Sequence, residues 1–157
     1  MGCPIFDPAA VCVESDAPDL LDLELSLKDG NTLTVSSLFM GTIHTVLFVD
    51  EMNPDRIEAL GEEICNHPTF AEKTNVNFVK VLDDHTLQMI TYERGVGMTQ
   101  ACGTGACASV VTAARKGLCS KTAEVILPLG SLKIEIKDDG HVMMEGPSVH
   151  VLEGKLY

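Results

Sequence analysis

The sequence predicts an α+β domain in which a largely antiparallel, mixed sheet curls around one central buried helix. Three observations carry this. Short stretches that alternate apolar and polar residues, or that are apolar throughout, recur along the chain and are separated by Asp-Gly and Asp-Asp turns. The segment Ala106 to Lys116 is built of Ala, Ser, Val and Thr and is apolar nearly all round up to Ala114, so it belongs inside the sheet and not on a surface. The 157 residues, 45% of them hydrophobic, fit one domain spanning 1–157 with a core of its own.

The elements follow in order. Leu21, Leu23, Leu25 and Leu27 alternate with Asp22, Glu24 and Ser26, the pattern of a half-buried strand. Asp29-Gly30 is a hairpin turn and Asn31 to Leu38 is the returning strand. Thr45 to Val49 is a short buried strand. Asn53-Pro54 supplies an N-cap and a first-turn proline for a helix carrying Ile57, Leu60 and Ile64. Asn75 to Leu82 and Thr86 to Tyr92 flank Asp83-Asp84 as two strands. The Ala106–Lys116 helix ends in a cation followed by Gly117, a C′ glycine. Ala123 to Leu127, Leu132 to Lys137 and His141 to Glu145 are further strands, the last two joined by Asp138-Asp139-Gly140.

A net charge of −12 argues against nucleic acid or an anionic membrane as partner. No apolar run is long enough to span a bilayer, and Met1 to Pro8 lacks the basic and apolar regions of a signal peptide. The six cysteines contain no Cys-x-x-Cys pair, so no metal site is expected, and reduced thiols in a cytoplasmic protein are the expectation.

The segment Glu93 to Ala108 carries the chemistry. Cys102 stands in a glycine-flanked turn just before the buried helix, where the amides of Gly103, Thr104 and Gly105 are free and the helix dipole favours negative charge. That field is expected to lower the thiol's pKa and so supply a base or nucleophile beside an anion cradle. A cysteine is more often a small core hydrophobe, and Cys107, inside the helix, is read that way. Cys3, Cys12, Cys65 and Cys119 have no acidifying context. Glu93-Arg94 ends a strand close to Cys102, where a surface ion pair and a site role are both open. His44 and Asn75 alone read as groups satisfying backbone at strand ends.

Met1-Gly2-x-Pro4, Met40-Gly41-x-x-His44, Asn66-His67-Pro68-x-Phe70, Thr74-Asn75-Val76, Tyr92-Glu93-Arg94-Gly95 and Ala101-Cys102-Gly103-Thr104-Gly105-Ala106 occur in that order. Together they resemble the C-terminal half of the diaminopimelate epimerase family over essentially the entire chain. Cys-Gly-Thr-Gly alone is shared with the related proline racemases. The resemblance implies one half of a two-domain fold and a cofactor-free isomerase that interconverts LL- and meso-diaminopimelate in lysine biosynthesis. It implies two cysteines as acid and base on opposite faces of the α-carbon, one from each domain. Cys102 is then one of that pair. Gly103 and Thr104 bind the α-carboxylate, and Glu93, Arg94 and Asn75 contact other substrate groups. His44 and Glu93 tune the thiols.

Three departures from the family's pattern stand out. Thr42-Ile43 replaces the usual Asn-Pro before His44, so a hydroxyl stands for a substrate-binding carboxamide. Lys73 and Leu129 replace an arginine and a glycine. The family's first domain, with the other cysteine, is not in this sequence. The expectations are therefore little or no activity from the chain alone, a frayed segment from Gly154 to Tyr157, and exposed faces that favour that domain or self-association. Two other readings stay open: a proline-racemase-like enzyme, and a non-catalytic carboxylate-binding remnant.

Overall fold

Neighbouring residues on the central strands point to opposite faces of the sheet, and each face has its own core. The computed structural model describes residues 1–155. Among the described residues nine strands form one sheet: β1 (Leu23–Ser26), β2 (Thr32–Phe39), β3 (Ile43–Phe48), β4 (Asn75–Asp83), β5 (Thr86–Glu93), β6 (Gly97–Thr99), β7 (Thr122–Leu127), β8 (Gly130–Ile136) and β9 (Val142–Glu145). Their order is β1-β2-β3-β4-β5-β7-β8-β9, with β6 paired to β5 beside that path. The β3–β4 and β5–β7 pairs are parallel and the others antiparallel. Each parallel pair is joined by a helical crossover: α1 (Pro54–Cys65) between β3 and β4, and α2 (Gly103–Arg115) between β5 and β7.

The two faces separate by strand alternation. Val46, Val79 and Met89 pack against α2 with Ala106, Val110 and Ala113, all fully or almost fully buried. Leu47, Val76 and Phe78 turn the other way, toward Ile57 and Ile64 of α1. The expected sheet around a buried helix is therefore present, and α1 covers its second face. Nine consecutive residues of α2, Gly105 to Ala113, are buried, as an all-round apolar helix requires. Its end is a Schellman motif: Leu118 N–H bonds Ala113 O, Gly117 N–H bonds Ala114 O, and Gly117 takes φ +71°. Arg115 then reaches Asp19 at 3.2 Å and lies 4.3 Å from the Phe6 ring. On α1, Asn53 Oδ1 accepts from Arg56 N–H and Pro54 opens the first turn, as the sequence predicts.

The structure differs from the sequence expectation in three places. The second helix begins at Gly103, not Ala106, because packing on the sheet overrides the turn preference of its two glycines. β6 and a short 3-10 helix over Pro8–Val11 were not anticipated. Residues 146–155 carry no helix or strand, and Val149, Val151 and Leu152 are 77–86% exposed. Of the segment expected to fray, Leu156 and Tyr157 lie outside the described residues. Among the described residues, no helix is long and apolar enough to cross a membrane.

Tyr92 presses on α1 where Gly61 has no side chain: a methyl group there would sit 2.7 Å from Tyr92 Cβ and 2.8 Å from Cγ. Alanine has the better helix propensity, yet Gly61→Ala is expected to destabilise the fold by about 1–3 kcal/mol through overpacking. A lower urea midpoint with an unchanged slope is the measurement; a raised midpoint would contradict this packing.

Candidate active site at the start of α2

Cys102 is the N-cap residue of α2, with extended backbone (φ −140°, ψ 105°) and a half-buried side chain. Its carbonyl accepts the first helical bond, from Ala106 N–H. The amides of Gly103, Thr104 and Gly105 therefore have no partner within the helix. Gly105 N–H is turned to the Cys102 sulfur, while Met144 of β9 lies over Gly103. The Thr104 hydroxyl lies 3.6 Å from Cys102 Sγ.

Behind Thr104 stands His44, fully buried on β3. Its Nε2 lies 3.0 Å from Thr104 Oγ1 and its Nδ1 3.1 Å from Asn77 Nδ2. Burial, and then the facing Arg94 guanidinium, push the imidazole down to about 4, so it is neutral at pH 7. His44 thus reaches Cys102 through Thr104.

Glu93 ends β5 and Arg94 follows it in the turn to β6; the two do not pair with each other. Glu93 Oε1 accepts from the Thr99 hydroxyl of β6 at 2.7 Å and its carboxylate faces Cys102. Arg94 donates from Nη1 to Glu72 O at 2.7 Å and from Nη2 to Thr42 Oγ1 at 3.2 Å, and its backbone N–H to Asn75 Oδ1 at 3.0 Å. Gly41, beside Thr42, lies against the Thr104 methyl group. The structure therefore brings Cys102, Gly103, Thr104, His44, Glu93, Arg94 and Asn75 to one end of the sheet. Asn75 spends its carbonyl oxygen on the chain itself; its Nδ2 has no protein partner among the described residues. A cavity of about 390 Å³ between β3 and α1 contains none of these residues.

The expected acidification of Cys102 is not what the site produces. Burial pushes the thiol up, the Thr104 hydroxyl and Gly105 N–H pull it down, and the Glu93 carboxylate pushes it up again; the net shift is upward. Desolvation of the sulfur outweighs the helix terminus. All six cysteines are free. Cys107 is a core residue as expected, pushed up to about 11 by burial. Sequence reasoning missed Asn77, Thr91 and Thr99. The signal for Asn77 was a polar residue in register with Val46 on the face that α2 covers.

Two measurements probe this balance. Thr104→Val removes a hydrogen bond to the charged sulfur, so alkylation of Cys102 at pH 8, read by mass spectrometry on its peptide, is expected to fall about tenfold; Glu93→Gln is expected to raise it. Equal rates in all three proteins would contradict the arrangement. His44 also makes stability depend on pH. The unfolded imidazole titrates near its ordinary 6.5 and the folded one at about 4, so the unfolded chain binds more protons between them. Stability is expected to fall as pH drops through that window, by about 3 kcal/mol at pH 4, and His44→Gln to flatten that part of the denaturation profile.

Known proteins match the chain over most of its length. The family model for diaminopimelate epimerase matches residues 36–151. A diaminopimelate epimerase from Clostridium perfringens (strain 13 / Type A) is 42% identical over 98% of this chain and 54% of its own. One from Ectopseudomonas mendocina (strain ymp) is 39% identical over 99% of this chain and 56% of its own. The chain thus spans about half the length of these curated relatives. Among solved structures, a hydroxyproline epimerase from Agrobacterium vitis superimposes with a TM-score of 0.57 at 16% identity, over 74% of this chain and 40% of its own. A phenazine biosynthesis protein of the PhzF family from Bacillus anthracis gives 0.51 at 15% identity, over 67% and 34%. Those two share the fold; the family model and the curated relatives go further, and by their coverage of the cysteine turn and the strands that frame it the chain belongs to the diaminopimelate epimerase family.

Proposed function

We propose that this chain carries one half of the active site of a diaminopimelate epimerase, with Cys102 as one of two thiols that exchange the α-proton. The carrying observation is the juxtaposition of a titratable sulfur with first-turn amides of α2 that have no partner within the helix. The α-carboxylate would sit on the Gly103 and Thr104 N–H groups, with the α-carbon over Cys102 Sγ. In one direction the Cys102 thiolate takes the α-proton: the C–H bond breaks, an S–H bond forms, and the electron pair spreads into the carboxylate. Amides fixed before that charge develops stabilise it without reorganisation. In the other direction the Cys102 thiol returns a proton to its face. A thiol held up by burial and Glu93 keeps its proton at neutral pH and suits the donor role. No cofactor enters this scheme. It needs a reduced sulfur, which fits the cytoplasm.

Arg94, held by Thr42, Glu72 and Asn75, is the cation placed to take a second carboxylate, and Asn75 Nδ2 is a further donor. The opposite face of the α-carbon needs its own acid/base. Cys65 and Cys107 are buried, Cys119 bonds Val110 and Ser120 carbonyls at the far end of α2, Cys12 caps the short 3-10 helix, and Cys3 lies by Gly140 in the turn between β8 and β9. We assign the second thiol to a partner domain or a second copy, and residues 1–157 to a single domain equivalent to the C-terminal half of the relatives.

The test is washout of the α-proton of LL-diaminopimelate into D2O, followed by NMR, with the chain alone and with a separately produced N-terminal domain of a relative. Exchange is expected only with the complementary domain, and Cys102→Ala is expected to lower it by about 10²-fold or more. Full turnover by the chain alone that survives Cys102→Ala would sink the reading. Turnover of proline but not diaminopimelate would favour the racemase alternative that Thr42 raises. Weak diaminopimelate binding with no exchange in either setting would favour the non-catalytic one.

A further inference from the structure

Asn77 has no place in the scheme above, yet it is a fully buried carboxamide in contact with the group behind the reactive turn. Its orientation is fixed by the Thr45 carbonyl, and the Thr91 hydroxyl complements it. Nδ2 lies 3.4 Å from the Thr45 carbonyl, which can only accept, and Oδ1 accepts from the Thr91 hydroxyl across the β4–β5 register at 3.2 Å. The atom presented to His44 Nδ1 is therefore the NH2 donor, 3.1 Å away. A neutral imidazole has one acceptor and one donor nitrogen. With Nδ1 accepting from Asn77, the proton is on Nε2, and Nε2–H donates to Thr104 Oγ1 at 3.0 Å. Thr104 cannot then donate to His44, so its own hydroxyl proton is left for Cys102 Sγ at 3.6 Å.

We infer that Asn77, held by Thr91 and the Thr45 carbonyl, is a positioning residue that locks His44 in the Nε2–H tautomer and so aims the Thr104 hydroxyl proton at Cys102. The run of donors is one-directional: Thr91 to Asn77, Asn77 to His44, His44 to Thr104, Thr104 to the sulfur. It stabilises the state in which the sulfur is an anion. Gly105 belongs to the device, because a side chain there would collide with Asn77 Oδ1 and crowd Cys102 Sγ. The inference extends the reading of Cys102 as a proton-transfer group, but its readouts need no turnover.

The first test uses the unmodified chain. Long-range 1H–15N spectra of histidine-labelled protein, with the His44 signals identified from His44→Gln, are expected to show a neutral imidazole protonated at Nε2. An Nδ1–H tautomer overturns the inference with no variant involved. The second test is Asn77→Asp, whose carboxylate accepts from Nδ1 and so reverses the tautomer, leaving Nε2 to draw the Thr104 hydroxyl away from sulfur. Alkylation of the Cys102 peptide at pH 8 is expected to fall about tenfold, the worth of one hydrogen bond to a charged group. Thr104→Val is expected to slow alkylation in the Asn77 protein and to have no further effect in Asn77→Asp. A Thr104→Val effect of equal size in both backgrounds overturns the inference. If the tautomer and the coupling hold while α-proton washout fails with the complementary domain, the proposed substrate chemistry falls and the relay stands.

Discussion

Everything at this site depends on how closely the first turn of α2 can rest on β4. Gly105 is buried, and a single methyl group there would collide with the Asn77 carboxamide beneath it. Because that space is left to Asn77, the helix start sits directly above the β3–β4 pair, where His44 and Asn75 are in register. Cys102 then falls at the N-cap and Thr104 falls between the sulfur and His44. A helix set further out would still have free amides, but its threonine would lose the imidazole and its cysteine would face water. The apolar packing of Ala106, Val110 and Ala113 holds the helix in place from within the core. The geometry of a polar site is thus fixed by the burial of an apolar helix.

The sulfur is subject to opposed influences. Desolvation and the Glu93 carboxylate favour the thiol; the Thr104 hydroxyl and the Gly105 amide favour the thiolate. In the proposed reaction the sulfur takes a proton in one direction and gives it in the other, so neither state should be too deep. His44 contributes without adding charge, since burial and Arg94 keep it neutral at pH 7. An imidazolium there would repel Arg94 and bias the sulfur strongly toward its anion. The site therefore tunes the thiol through dipoles and hydroxyls near the sulfur, with the Glu93 carboxylate held by Thr99.

Much of this was legible in the chain. The strand alternation of Leu23 and Leu25, the Asn53-Pro54 helix start and the Lys116-Gly117 stop are local signals, and each is where the residues indicate. The start of α2 was read three residues late because Gly103 and Gly105 carry turn preference, while their reason for being glycine lies in contacts with Met144 and Asn77 on other strands. The direction of the Cys102 shift differs from the sequence expectation for a related reason: a helix N-terminus is visible in sequence, whereas desolvation depends on what closes over it. Cys102, Glu93, Arg94 and Asn75 could be singled out by motif. Asn77 could not, because its role arises only from the pairing of β3, β4 and β5, which no single segment encodes.

The electrostatics of the site run against those of the molecule. The chain carries a net charge of −12, which repels dicarboxylic ligands at long range. At the end of β4 and β5 two positive features interrupt that field: the open amides of α2 and the Arg94 guanidinium. Arg94 is exposed, yet a backbone carbonyl, the Thr42 hydroxyl and, at its own amide, Asn75 hold it in place. None of these partners is a carboxylate, so its charge is oriented without being neutralised. A ligand with one anionic end fills one of these features; a ligand with two satisfies both. A buried, unpaired positive charge would be costly, whereas an exposed guanidinium tethered by neutral acceptors keeps its hydration until a carboxylate displaces that water. Thr42 belongs to this arrangement: its hydroxyl accepts from Arg94 and so helps to set the direction of the cation.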